Sequence, residues 1–274
     1  MNTTIRTTLA ATAAAGLSVA GAAAQTAEAI PADQPVRNVV IVHGAFADGS
    51  GWRGVYDDLT ARGYRVTIVQ NPLTTLADDV AAAHRALQRQ DGPAILVGHS
   101  YGGTVITEAG TGDAVAGLVY VSALAPDVGE TTGGQFAEIP APPEFVIETG
   151  PDGFGFVNME MFKAGFAGDT SDADAAFLRD SQVPINMEIF GAPLTRAAWR
   201  TKPSWAVIAT QDRAIDPRLL RQTADRMGAP ITEIDASHVL FFTHPHEVAD
   251  VIDAAARSVS ETVSQGDAAA MESR

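Results

Sequence analysis

The chain has 274 residues, of which 46% are hydrophobic and 19% charged, a composition that excludes an intrinsically disordered protein. Its formal net charge is −15 and it holds no Lys/Arg-rich run, which points away from nucleic acid as a partner. It has no cysteine, which excludes a thiol nucleophile, a disulfide framework and a Cys-based zinc site.

Residues 1–24 read as a signal peptide. Arg6 supplies a positive start, Leu9 to Ala24 is an apolar Ala-rich run, and Ala22-Ala23-Ala24 offers small residues for cleavage, with a second option at Ala27-Glu28-Ala29. The expectation is export to the periplasm or the outside. No later segment is long and apolar enough to insert stably in a membrane. Pro31 to Pro35 reads as a linker into a single domain over residues 36–260. Val39-Val40-Ile41-Val42 is a β-branched run suited to a strand buried on both faces. Gly51 to Arg62 reads as a helix stopped by Gly63, and Arg65 to Gln70 as a strand. Leu76, Val80, Ala83 and Leu87 share one face of a helix over Thr75–Gln90. Strands follow at Ala94–Val97 and Gly117–Val121, flanking a helical pattern at Thr104–Ala109.

Between Pro126 and Pro203 the rhythm breaks. The stretch shows helical patches at Asn158–Phe166 and Asp172–Asp180 and no clear strand, so a helical cap over about 127–202 is expected. Then come a strand at Trp205–Ala209, a helix at Pro217–Met227 capped by Asp216 and stopped by Gly228, a strand at Ile231–Ile234 and a helix at Pro245–Val259. Residues 261–274 read as a flexible polar tail. The alternation predicts an α/β fold with a doubly wound, mostly parallel six-stranded sheet.

Gly98-His99-Ser100-Tyr101-Gly102 fits G-x-S-x-G, with Gly103 following. It lies between a strand and a helix, where a sharp turn exposes a serine hydroxyl above a sheet. A serine needs a base. Of the 6 histidines, His43 and His99 sit beside glycines in turns, His84 lies on the amphipathic helix, and His244 and His246 flank Pro245. His238 lies between the last strand and the last helix, in the chain order Ser…Asp…His. Asp212 follows the strand Trp205–Ala209 and is the candidate to orient the base. Asp216 is its nearest rival but is explained as a helix cap, and Asp127 follows an earlier strand. His43-Gly44-Ala45 ends the first strand, so the N–H groups of Ala45 and Tyr101 are the candidate oxyanion donors. No cofactor or metal is called for, since no His/Asp/Glu cluster has ligand spacing.

These motifs, with Trp52 and Val119-Tyr120-Val121-Ser122-Ala123, resemble the α/β-hydrolase superfamily. More closely, the chain is similar to the plant methylesterase and hydroxynitrile lyase branch and its bacterial esterase relatives, over nearly everything after residue 36. Lyases of that branch tend to carry Thr at the position of Gly44 and Lys directly after the catalytic histidine, where this chain has Val239. The resemblance therefore implies hydrolysis of a small-molecule carboxylic ester through an acyl-enzyme. The cap would line the pocket, with Phe136, Phe145, Phe154, Phe156, Met159, Met161, Phe162, Phe166, Met187, Phe190, Leu194 and Trp199 as its large apolar side chains. At least half of these are expected only to pack the cap on the domain. The same triad would also serve a perhydrolase, a lactonase or an amidase, and the scaffold is compatible with a ligand-binding protein of little turnover.

Overall fold

A computed structural model describes residues 29–272, apart from residues 32 and 33. The expected targeting segment, residues 1–24, lies outside the described residues. Six strands form one parallel sheet: β1 (Asn38–Val42), β2 (Arg65–Val69), β3 (Ala94–His99), β4 (Val115–Val121), β8 (Ser204–Ala209) and β9 (Ile231–Ile234). Their order is β2-β1-β3-β4-β8-β9, so the chain runs outward in both directions from the β1/β3 junction. That junction is a topological switch point, where a crevice opens at the carboxyl ends of the strands. Every residue of β1 and of β3 is buried, as strands covered on both faces require. In register, Val42 of β1 lies beside Gly98 of β3, and His99 beside Val121 of β4. The loops leaving β1, β3, β4 and β8 therefore emerge side by side.

The helices cover both sides of the sheet. α1 (Arg53–Ala61) packs on α8 (Pro245–Glu272), and α2 (Leu76–Leu87) on α3 (Gly102–Ala109). Local chemistry sets their ends. The Thr75 hydroxyl accepts from the Asp78 N–H at the start of α2. α6 (Pro217–Met227) opens on an Asp216 cap with Pro217 in its first turn and closes at Gly228, at φ +66°. α8 runs past the expected end at Val259 to Glu272; Ala268-Ala269-Ala270 favours continuation of the helix. Among the described residues no helix is long and apolar enough to cross a membrane.

The cap departs from the wholly helical expectation. It has two α-helices, α4 (Phe162–Phe166) and α5 (Asp172–Asp180), and short 3₁₀ turns, but also an antiparallel sheet of β5 (Ile147–Thr149), β6 (Phe154–Val157) and β7 (Ile185–Asn186). These strands have 3, 4 and 2 residues, too few for period-2 alternation to register in the sequence. Short clips join the cap to the domain. The Glu108 carboxylate of α3 accepts the N–H groups of Thr195 and Arg196 at 2.8 and 3.0 Å. Arg226 of α6 reaches Glu130 at 2.9 Å, and within the cap Arg200 pairs with Asp127, bringing its two ends together.

Candidate active site

Ser100 sits on the turn between β3 and α3 at φ +53°, in the left-handed region that a non-glycine residue rarely adopts. Its carbonyl accepts from the N–H groups of Gly103 (3.0 Å) and Leu124 (3.2 Å), and its own N–H donates to Val121 (3.3 Å). The surrounding chains thus over-determine the strained residue. Gly102 makes this approach possible, since a Cβ there would lie 2.5 Å from the carbonyl oxygen of Val42. His99 and Tyr101 are buried on either side, while Ser100 is only half-buried.

His238 follows β9 and precedes α7, a short helix (Leu240–Thr243). Asp212 follows β8. The two loops are stitched together: Thr210 N–H donates to Ile234 at 2.9 Å and Gln211 N–H to Ala236 at 3.0 Å. The outcome is a buried pair, His238 Nδ1 to Asp212 Oδ2 at 2.6 Å, with side chains 1% and 0% exposed. Asp212 Oδ1 accepts the N–H groups of Ala214 (2.8 Å) and Ile215 (2.9 Å), which fixes the carboxylate. This arrangement leaves Nε2 as the open ring nitrogen of His238, and that atom has no hydrogen-bond partner among the described residues. The rival acids are engaged elsewhere. Asp216 caps α6 and binds Arg218, and Asp127 binds Arg200.

The other buried histidines have positions of their own. His99 Nε2 lies 2.9 Å from the carbonyl oxygen of His238. A carbonyl only accepts, so His99 carries its proton on Nε2 and links the elbow to the His238 loop. Burial holds its pKa well below the usual imidazole value, so the ring stays neutral. His43 Nε2 accepts from the Asn71 N–H at 2.9 Å, so its Nδ1–H donates to the Gly44 carbonyl, also at 2.9 Å. It too is held neutral by burial. Gly44 itself cannot carry a side chain without local movement: a Cβ would meet His99 Nδ1 at 2.8 Å and Ser100 Cβ at 2.9 Å.

A cavity of about 390 Å³ opens over Ser100. Ala45, Phe46, Tyr101, Leu124, Ala214 and Ile215 line it from the sheet side, and Gly133, Phe136, Ala141, Phe145, Ile147 and Phe190 from the cap. Of the twelve apolar cap side chains named above, only Phe136, Phe145 and Phe190 are in this lining. Phe162, Phe166 and Leu194 are buried as packing, and Phe156 and Met159 are exposed. Ala45 and Tyr101 flank Ser100 in the lining, and neither backbone N–H donates to a backbone acceptor among the described residues.

Two contributors were not read from the sequence. Phe46, at φ +61°, turns its ring against Phe145 (6.1 Å between centroids) and Phe190 (6.5 Å). A backbone conformation of this kind leaves no sequence signal in a phenylalanine. Asp79 of α2 is fully buried and accepts from the Tyr101 hydroxyl at 2.7 Å. A signal for it existed: Asp79 lies three residues after Leu76 and four before Ala83, a carboxylate on the apolar stripe of its helix.

The comparisons with known proteins agree with this architecture. A sequence model of the alpha/beta hydrolase family matches residues 39–251. The alpha/beta hydrolase nvfD of Aspergillus novofumigatus is 28% identical over 254 residues, 81% of this chain and 98% of the relative. A pyrethroid hydrolase of Sphingobium wenxiniae is 27% identical over 249 residues, 79% of this chain and 86% of the relative. The solved structure of a pyrethroid hydrolase from Sphingobium faniae JZ-2 superposes with a TM-score of 0.70 at 22% identity, covering 82% of this chain and 99% of that one. The chain belongs to the α/β-hydrolase family.

Proposed function

We propose that the protein is a serine esterase for small, largely apolar carboxylic esters, with Ser100 as nucleophile, His238 as general base and acid, and Asp212 as the orienting acid. The observation that carries the reading is the buried Asp212–His238 pair at the same sheet edge as a serine in a left-handed elbow. That serine opens on a cavity whose lining side chains carry no charge. Relatives named as pyrethroid hydrolases accord with hydrolysis at such a site.

The chemistry runs in two halves. Ser100 Oγ attacks the acyl carbon while its proton passes to His238 Nε2. Asp212 stabilises the resulting imidazolium and keeps Nδ1 protonated. The oxyanion is received by the backbone N–H groups of Ala45 and Tyr101, at the amino end of α3 where the helix field favours negative charge. Collapse breaks the bond to the alcohol oxygen, which takes the proton from Nε2 and leaves. Water then attacks the acyl-Ser100, giving its proton to Nε2. The second collapse returns that proton to Ser100 Oγ and frees the acid.

The test is labelling by a fluorophosphonate together with hydrolysis of p-nitrophenyl acetate and butyrate. Wild-type protein should be labelled on Ser100 and turn over both esters, and Ser100→Ala should do neither. Turnover by Ser100→Ala at the wild-type rate would overturn the reading. Rapid labelling with negligible turnover would replace it with the ligand-binding alternative.

A further inference from the structure

Asp79 is a buried carboxylate for which the chemistry above has no use. It stands in the first turn of α2 and is 0% exposed. Both of its oxygens are taken by uncharged donors, Oδ1 by the Leu73 N–H at 2.9 Å and Oδ2 by the Tyr101 hydroxyl at 2.7 Å. Withdrawing a carboxylate from water is costly unless its lone pairs are filled. Here two hydrogen bonds and the amino-terminal field of α2 offset that cost. Burial still pushes the Asp79 carboxyl above its ordinary pKa, and the Tyr101 phenol likewise. A Tyr–Asp contact sealed this deeply constrains whatever it joins.

What it joins is the elbow. Tyr101 follows Ser100 directly, and three of its handles are fixed. Its carbonyl accepts from the N–H groups of Thr104 (2.9 Å) and Val105 (3.3 Å) in α3. Its ring packs T-shaped against Phe190 of the cap, 5.9 Å between centroids at 85°. Its hydroxyl is held by Asp79, which reaches across from the neighbouring helix. The handle without a backbone acceptor among the described residues is the N–H. The other oxygen of Asp79 holds Leu73, at φ +56°, whose carbonyl accepts from Asn186 of β7 at 2.9 Å. One carboxylate therefore braces the residue after the nucleophile, the entry to α2 and a strand of the cap.

We propose that Asp79 is a positioning residue. Through the Tyr101 phenol it holds the Tyr101 backbone N–H where an oxyanion on Ser100 would meet it. This rests on the esterase reading. Position matters here because a donor aimed at the oxyanion contributes in the transition state and little in the ground state. Loosening Tyr101 should therefore lower kcat and leave KM nearly alone.

The experiment uses Tyr101→Phe, Asp79→Asn and the double variant in the full chain. It measures kcat and KM on p-nitrophenyl butyrate and inhibition by a pair of alkyl ketones matched in chain length. The trifluoromethyl ketone adds to the serine as an oxyanion, and the methyl ketone binds as a neutral ground-state mimic. Removing an oxyanion donor outright costs about 100-fold or more, so releasing one should cost roughly 10-fold in kcat, with KM within about 2-fold. Trifluoromethyl ketone affinity should fall by the same factor as kcat, and methyl ketone affinity should hold. The double variant should be no worse than the poorer single one, since both cut the same link. If Tyr101→Phe loses thermal stability yet keeps wild-type kcat and ketone selectivity, the contact is structural and the proposal is overturned. An additive double variant overturns it equally. Should Asp79→Asn fail to fold, Tyr101→Phe decides alone, because it deletes a single hydroxyl. Wild-type protein that neither hydrolyses the ester nor binds the trifluoromethyl ketone would defeat the esterase reading itself, and would do so before any variant is compared.

Discussion

One wall of the cavity comes from the loops at the carboxyl edge of the parallel sheet, and the other from the cap. The sheet-side wall holds Ser100 and the oxyanion candidates, and its backbone takes conformations that cost energy: Phe46 at φ +61°, Ser100 at φ +53° and, just behind, Ser122 at φ +40°. The order of 1–3 kcal/mol that each such residue costs is tolerable only where neighbouring strands fix the chain. The cap-side wall is Phe136, Ala141, Phe145, Ile147 and Phe190, carried on 3₁₀ turns, a short strand and loops. It presents shape without polar anchors. The difference teaches a division of labour. On the proposed esterase reading, chemistry would sit where the backbone is locked, and selection among substrates where side chains can be exchanged at small cost.

The sharpest way to break that division is to remove chemistry from the sheet side alone. Ser100→Ala should cut kcat on p-nitrophenyl butyrate by about 10⁴-fold or more with the fold intact. Asp212→Asn should cost roughly 10³–10⁴-fold, because an amide would favour the wrong imidazole tautomer. It should also lose the charge that stabilises the imidazolium. If Asp212→Asn retains activity within about tenfold of wild type, Asp212 does not orient the base. Next in size is Gly103→Ala, a change to backbone packing. A Cβ there would strike the Leu124 carbonyl oxygen and lie 2.8 Å from Ala123 Cβ. Backbone cannot move aside as a flexible side chain can, so urea unfolding should show a loss of about 2–4 kcal/mol. An unchanged midpoint would mean that the elbow is less tightly fastened than its hydrogen bonds imply.

The sheet side was far more legible in the sequence than the cap, and for a physical reason. β1, β3 and α6 announce themselves by short contiguous patterns: an apolar run, or a cap, a proline and a closing glycine. Ser100 was legible because its turn needs glycines at fixed offsets. Asp212 and His238 are 26 positions apart, so their contact depends on the order of strands and on no local motif. Chain order pointed to both, but the stitching of Thr210 and Gln211 to Ile234 and Ala236 is visible only in three dimensions. In the cap, strands of two to four residues pair with partners up to about thirty positions away, as Gly155 does with Ile185, and no periodic signal accumulates. The twelve apolar cap residues looked alike in sequence. Which of them face the cavity was settled by the turns between them.

On the cap side the effects should be smaller and should appear in selectivity. Phe190 touches both Phe46 and Tyr101 across the cavity. Phe190→Ala should enlarge the space over Ser100 and change the ratio of kcat/KM between butyrate and hexanoate esters by about tenfold, in favour of the longer chain. A uniform loss on every ester, with the ratio unmoved, would show that the cap holds the chemistry in place. The comparison between the walls would then fail.

The smallest effect expected concerns how the cap is fastened. Asp127 and Arg200 stand near its two ends, the carboxylate 16% and the guanidinium 57% exposed. Arg200 is the main reason that the Asp127 carboxyl is held below its ordinary range, helped by the Val128 N–H. A carboxylate depressed in the folded state adds stability that is present above its unfolded pKa. That stability is lost as pH falls through the lower, folded value. Wild-type protein should therefore exceed Asp127→Asn by at most about 1 kcal/mol at pH 7, given the exposure of the pair. The gap should close between about pH 5 and pH 2 as the carboxylate is protonated. Urea unfolding of both proteins at several pH values measures this. Equal destabilisation at pH 7 and pH 3 would assign the effect to side-chain packing instead of charge. Because the clip lies outside the cavity lining, kcat at neutral pH should be unaffected. A fall in kcat that tracked the loss of the pair would mean that cap closure and the locked sheet edge are coupled, and that the two walls act as one.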